Sequence, residues 1–283
     1  MAKRVSRQDS ASEQLPAKIS SDEERLIQLA EENTKFERDE LVIPRLKILQ
    51  PLNPEVQEGT PQYVPGAKAG MLYNTSSGKL TAGQPGMIVC VIGHTRQVIE
   101  WIPREAGGGM VRNWGLDDGW KALCEPHQRD SFQPTTRDGH QIDKQRSFLI
   151  FDIDEKTGVI DPSFFNMRST SNKVANRLST MLTQARIKLS DGRIIAPPHY
   201  YYTYKIALEF VTNDKGRWWT PKITSHMDDK GRHKRTEDMP NGKAIFEQAV
   251  MLRQQLMEGT IQQQTDDYGE QGDDTMEKDA ITF

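Results

Sequence analysis

Only two cysteines, Cys90 and Cys124, occur in 283 residues. A disulfide framework is therefore excluded, and nothing in the chain calls for an oxidising compartment. No apolar run approaches the ~18 residues that span a bilayer, and the first residues, Met1-Ala2-Lys3-Arg4-Val5-Ser6-Arg7, have no hydrophobic stretch behind them. The expectation is a cytoplasmic protein with no membrane partner. Apolar residues are also scarce: at 35% hydrophobic content and a mean hydropathy of -0.71, they suffice for one modest core with unstructured ends.

Catalytic and cofactor signatures are missing as well. Gly107-Gly108-Gly109 is not followed by the Gly-Lys-Ser/Thr of a phosphate-binding loop, so nucleotide hydrolysis has no support. Asp152, Asp154, Glu155 and Asp161 invite comparison with a two-metal nuclease. Only Asp152 and Asp154 share a strand face, however, and no Lys, His or third carboxylate at a recognisable spacing completes the set. Cys90-x3-His94 and Cys124-x2-His127 supply four zinc-type ligands. In an extended strand, positions four apart lie ~13 Å from each other, too far for one ion unless Gly93 bends the chain sharply. His199, His226 and His233 have no Ser or Cys partner that the sequence identifies. No enzyme activity and no cofactor are expected.

Charge is present but uneven. The formal net charge is -3, yet residues 1–40 hold 7 bases against 10 acids, and residues 265–283 hold 1 against 7. Setting both ends aside leaves 29 bases and 23 acids over residues 41–264, a body of +6 between negative arms. That distribution suits a polyanion binder kept from indiscriminate attachment.

Hydrophobic periodicity divides the chain into a polar, mostly disordered arm (1–40, with a short charged helix after Ser21), a folded domain (41–258) and an acidic tail (259–283). A first strand is expected over Leu41 to Leu49, alternating in its second half, with Pro44 at its beginning, where no ladder donor is missed. After a Pro- and Gly-rich loop, Met71-Leu72-Tyr73 begins another. Met87 to Ile102 is rich in β-branched residues, and Gly93 invites a bulge. Residues 103–144 read as large loops with one hairpin. Ser147 to Phe151 and Ser163 to Met167 form a hairpin across the turn residues Asp154 to Gly158. Val174, Leu178, Met181, Leu182 and Ala185 recur at helical spacing, giving a helix over 171–188 that Asp191-Gly192 terminates. A second hairpin runs from Tyr200 to Val211 and from Arg217 to Ser225, with Tyr202, Tyr204, Ile206, Leu208 and Phe210 on one face. A last amphipathic helix covers 243–257. The fold class is mainly β with inserted helices (α+β), and the architecture expected is an elaborated oligonucleotide-binding (OB) antiparallel barrel.

A sequence-tolerant binder of single-stranded nucleic acid needs aromatic faces interleaved with Lys and Arg. Three places offer them. The first is Trp101 and Arg104, then the triple glycine, then Arg112 and Trp114. The second is a hairpin face with Tyr201 and Lys205 opposite Trp218 and Lys222; Trp218 and Trp219 are adjacent, so at most one of them belongs to the core. The third is Arg168, Lys173 and Arg177 on the basic side of the first helix. The C-terminus adds Asp273, Asp274 and Asp279 before Ile281 and Phe283, carboxylates that imitate a nucleic-acid backbone followed by an apolar tip able to enter a pocket on another protein.

Two stretches, Ile43-Pro44-Arg45-Leu46-Lys47-Ile48-Leu49-Gln50 and Ile99-Glu100-Trp101-Ile102-Pro103-Arg104-Glu105, together with the order of elements and the acidic end, resemble phage-encoded single-stranded-DNA-binding proteins with an OB-like core. Thr282 stands where the bacterial tails of this design have proline before the final Phe. The resemblance implies sequence-tolerant binding of single-stranded DNA in phage replication or recombination, in the host cytoplasm. The tail would recruit replication or recombination proteins, and self-association is compatible with the pattern. A strand-annealing mediator, a metal-dependent nuclease and a plain adaptor are the rivals.

Overall fold

The computed structural model describes residues 42–131, 133–213, 216–258 and 261–263. In chain order the elements are β1 (Val42–Ile43), β2 (Arg45–Ile48), β3 (Met71–Asn74), β4 (Leu80–Ala82), β5 (Met87–Trp101), β6 (Met110–Asn113), β7 (Gln141–Ile153), β8 (Ile160–Met167), α1 (Asn172–Gln184), β9 (Ile187–Lys188), β10 (Ile194–Ile195), β11 (Thr203–Asn213), β12 (Gly216–Ser225), α2 (Gly242–Met257) and β13 (Gln262–Gln263). Nine strands share one sheet in the order β12-β11-β5-β7-β8-β2-β3-β4, with β6 added to the far end of β5. Its spine is the β-branched run of β5, paired along its length with β7. The ladder shifts register between Val91 and Gly93, which makes Ile92 the extra residue. Gly93 has its own reason to lack a side chain, because a Cβ there would lie 2.2 Å from Arg253 Nη1.

The sheet is not the purely antiparallel one expected. β2 runs parallel to β8, with Arg45 opposite Phe164 and Leu46 opposite Phe165. Phe164 N donates to Pro44 O at 2.8 Å, so the residue that cannot donate still serves the ladder as an acceptor.

Alternation along the spine builds a core on each face. Val89 and Val91 of β5 face one way with Phe148, Ile150, Phe165, Tyr204 and Ile206, and α1 covers this first core with Ala175, Leu178 and Leu182. Ile88, Cys90 and Ile92 face the other way with Leu149, Phe151 and Phe164, under Ile245 and Ala249 of α2. A third, smaller cluster of Val98, Trp120, Cys124 and Ile142 lies beyond them at the end of the β5–β7 pair. Truncating Leu178, which is 1% exposed, to Ala removes about 2–5 kcal/mol of stability.

The sheet curls into a half-barrel. Its β11–β12 end returns against the segments flanking β3 and β4: Leu208 N donates to Gly83 O (2.8 Å), Gln84 Nε2 to Leu208 O (2.7 Å), and Gln50 Nε2 to Trp219 O (2.8 Å).

Other departures have local causes. The first helix ends at Gln184, not near Lys188: Ala185 turns extended at ψ 137°, and Arg186 Nη1 donates to the carbonyls of Thr183 and Ala185. Asp191-Gly192 then lies in the turn of the β9–β10 hairpin and plays no part in ending the helix. Pro198 precedes a 3-10 turn over His199–Tyr201, so the strand expected from Tyr200 begins at Thr203. Phe210 shares the core face of β11 but is 51% exposed, since the strand has by then outrun the core. β7 begins at Gln141, inside the stretch that reads as loop. The expected charged helix after Ser21 lies outside the described residues, as does most of the acidic tail.

Candidate nucleic-acid interface

The first expected place is a hairpin. β6 folds back on β5, with Trp101 opposite Met110 and Ile99 opposite Asn113. Gly107, Gly108 and Gly109 all take positive φ, which is how the connection closes in so few residues. Trp114 turns inward: it packs on the third cluster and its Nε1 donates to Glu100 Oε2 at 3.1 Å. Its outer face is covered by the Arg112 guanidinium, 4.0 Å from the ring centroid. The surface offered here is thus the exposed plane of Arg112 stacked on a half-buried indole. Trp101 is half-buried on the opposite face of β5. Arg104 opens a 3-10 turn (Arg104–Ala106), and its side chain lies outside the described atoms.

In the second place, cross-strand register puts Lys205, Trp218 and Lys222 on the face of the β11–β12 hairpin turned away from the first core. Lys222 is ion-paired with Glu209 on that same face. Trp218 is half-buried, with a buried indole N–H that meets no acceptor among the described residues, whereas Trp219 packs against the first core. Tyr201 does not join this face. It belongs to the 3-10 turn before β11 and packs edge-on against Tyr202 at 4.8 Å.

The third place is the outer side of α1. Lys173 and Arg177 are exposed, one helical turn apart, and have no ion-pair partner among the described residues. Arg168 is held back against the sheet by Asp143, at 3.3 Å. Because α1 lies on the first-core side, the sheet separates Lys173 and Arg177 from Lys205, Trp218 and Lys222.

Register reveals a group that a linear reading misses. Arg96 of β5 stands directly opposite Arg146 of β7, and Val98 opposite Lys144, all on the first-core face. Asn172 Nδ2 donates to Lys144 O at 3.1 Å, which sets the start of α1, and so Lys173, beside this row. Burial, followed by the proximity of Arg96, lowers the Arg146 pKa. The one sequence-level clue was Lys144 and Arg146 two residues apart, which becomes informative once β7 is known to begin before them.

Lys79, from the turn between β3 and β4, reaches both Asp152 and Asp161, 3.2 Å from the latter, so an ammonium sits between the two carboxylates. Asp154 is turned to its own loop and accepts from Lys156 N and Thr157 N. Cys90 and Cys124 sit in different clusters, and burial pushes the Cys90 thiol up to about 12. Among the described residues no group of three or more His, Cys, Asp or Glu side chains is arranged to hold a metal ion.

Asp273, Asp274, Asp279, Ile281 and Phe283 lie outside the described residues. No described helix is long and apolar enough to cross a membrane.

No curated protein and no solved structure matches this chain. A family model described as Pam3 phage gp34-like protein matches residues 13–262, which takes in every strand of the curled sheet, both described helices and the cationic row of Arg96, Arg146 and Lys144. The chain belongs to this phage family, the Pam3 phage gp34-like proteins.

Proposed function

We propose that this protein binds single-stranded DNA without sequence preference, as a non-enzymatic component of phage replication or recombination in the host cytoplasm, with the half-barrel serving as an OB-like core. The observation that carries the reading is the cationic surface on the first-core side. Arg96, Arg146, Lys173 and Arg177 lie along it with no ion-pair partner among the described residues, although acids elsewhere on the surface are repeatedly paired. An electrostatic track of this kind, open to a flexible backbone, is the main requirement of sequence-tolerant binding. The exposed Arg112 guanidinium on Trp114 adds a flat cationic surface on which a base can stack.

The acidic C-terminus competes with DNA for the cationic body, and its apolar tip recruits replication or recombination proteins. Fluorescence titration of the five tryptophans with oligo(dT) at two salt concentrations tests the core of this reading. Affinity is expected to fall with salt at a log-log slope of about -0.7 per phosphate contacted. Removing residues 265–283 is expected to tighten binding. Absence of binding even at low salt, with and without those residues, overturns the proposal.

A further inference from the structure

Like charges set directly opposite each other in a β-ladder destabilise it. Arg96 and Arg146 are such a pair, and neither adjoining rung on their face supplies a carboxylate. On one side His94 stands opposite Phe148 and on the other Val98 stands opposite Lys144, while the third strand contributes Met167 beside Arg146. Glu100, the next acid along β5 on that face, is buried and already engaged by Trp114 Nε1 (3.1 Å) and His140 Nδ1 (2.7 Å). The neighbourhood adds further potential donors. His94 stacks on Phe148 at 5.5 Å and on His199 at 5.8 Å. Three cationic side chains, Arg96, Arg146 and Lys144, therefore share one surface whose floor is apolar. A low-dielectric floor sharpens their field on whatever anion approaches.

We propose that the Arg96–Arg146 pair is a phosphate seat, the two guanidiniums bracketing one phosphate group of a bound strand's backbone, with Lys144 and Lys173 carrying the strand onward to α1. Opposed residues in an antiparallel pair have Cβ atoms ~4.5–5.5 Å apart, so two planar forks converge on a single tetrahedral oxyanion. The repulsion between them in the free protein is relieved when that oxyanion arrives. This inference rests on the DNA-binding reading for the identity of the strand, and on the ladder geometry alone for the phosphate.

The test is calorimetric titration of the full chain, its R96Q/R146Q variant and its R96K/R146K variant, with inorganic tripolyphosphate and separately with oligo(dT). Loss of each arginine is expected to weaken binding of both about tenfold. The oligo(dT) salt slope of the glutamine variant is expected to shrink by about 0.7, because the pair seats one phosphate. The lysine variant keeps most of the slope but loses affinity, because an ammonium lacks the fork. Thermal unfolding separates these losses from misfolding: without ligand the glutamine variant should melt at or above the wild-type temperature, since the repulsion is gone. Unchanged oligo(dT) affinity and slope in the glutamine variant sink the seat and leave the DNA-binding reading standing. Arginine-dependent binding of tripolyphosphate without binding of oligo(dT) keeps the seat and removes that reading. Binding of neither by the wild type sinks both.

Discussion

Gln50 and Trp219 join the two ends of the curled sheet through a reciprocal pair of hydrogen bonds: Trp219 N donates to Gln50 Oε1 at 2.9 Å, and Gln50 Nε2 donates to Trp219 O at 2.8 Å. A primary amide has the donor and acceptor of a peptide group, so this side chain stands in for the strand that would otherwise continue the ladder. Gln50 is 1% exposed, which leaves no water to replace either bond. Gln50→Ala is expected to cost about 2–4 kcal/mol in chemical denaturation, as two backbone groups lose their partners. Gln50→Glu should not recover the loss, because a carboxylate accepts at both oxygens and faces the Trp219 carbonyl with no proton to give.

Gly70 makes the same closure possible from below. Its φ is +84°, and a Cβ would fall 2.5 Å from Trp219 Cε2. Gly70→Ala combines left-handed strain with an aromatic clash. Its expected penalty is about 2 kcal/mol or more, with Trp219 fluorescence shifted to the red as the ring is displaced toward water. An unchanged midpoint and spectrum would show that the two ends of the sheet do not depend on each other.

Asp152 has a side chain 8% exposed, while its partner Lys79 is 41% exposed. Burial raises the Asp152 pKa, and the Lys79 hydrogen bond opposes that rise. Lys79→Met leaves the carboxylate without its cation and is expected to destabilise by about 2 kcal/mol. Adding Asp152→Asn to that variant should restore most of the loss, since the buried group is then neutral. Additive effects in this double-mutant cycle would mean that Lys79 and Asp152 do not interact in solution.

Stability should also fall on acidification below neutrality. Burial lowers the pKa of His94, His199, His226 and His233 from the usual 6.5. A histidine whose folded pKa is depressed binds fewer protons folded than unfolded between its folded value and 6.5. Its contribution is therefore present above 6.5 and lost as the pH falls through the folded value. For His233 the geometry requires a proton on Nε2, which lies 2.8 Å from Thr203 O; burial lowers its pKa, that hydrogen bond opposes the drop, and the ring stacks on Tyr202 at 4.2 Å. The Tm should drop between about pH 7 and pH 5, and H199Q/H233Q should show a shallower drop. A flat profile in the parent protein would contradict the assignment of these rings as neutral.

Much of the fold can be read from local pattern because the relevant forces are local. The unbroken apolar runs Met87 to Ile92 and Phe148 to Phe151 report burial on both faces, and the period of Val174 to Leu182 reports a helix seated on a core. The pattern fades where the sheet outruns its core. Asp143-Lys144-Gln145-Arg146 is polar throughout yet paired with β5, so no hydrophobic signal marks the first part of β7. The parallel β2–β8 pair, the Gln50 closure and the Lys79–Asp152 contact join residues far apart in sequence and leave no local trace. For the candidate site this matters most. Trp114 and Tyr201 have the chemistry expected of stacking platforms, but Arg112 covers the ring of the half-buried Trp114, and Tyr201 stands apart from the hairpin face. Arg96 and Arg146 read as ordinary surface charges until register sets them opposite each other.

The position of α1 relative to the β11–β12 hairpin yields a prediction about the path of a bound strand. Lys173 and Arg177 stand on the first-core side, while Lys205 and Lys222 stand on the other face of the sheet, so a short oligonucleotide cannot engage both pairs without rounding an edge. The charge state of the two surfaces differs as well: Lys222 is already answered by Glu209, whereas Lys173 and Arg177 have no described partner. A paired cation releases fewer counterions on binding phosphate, because its field is already partly neutralised. K173Q/R177Q is therefore expected to reduce the oligo(dT) salt slope by about 1.4, and K205Q/K222Q by no more than about 0.7. Both variants change only exposed or half-buried side chains, so their melting temperatures should stay close to that of the parent. The reverse ranking of slopes would move the binding track to the hairpin face, with Trp218 as its stacking ring and α1 serving only to cover the first core.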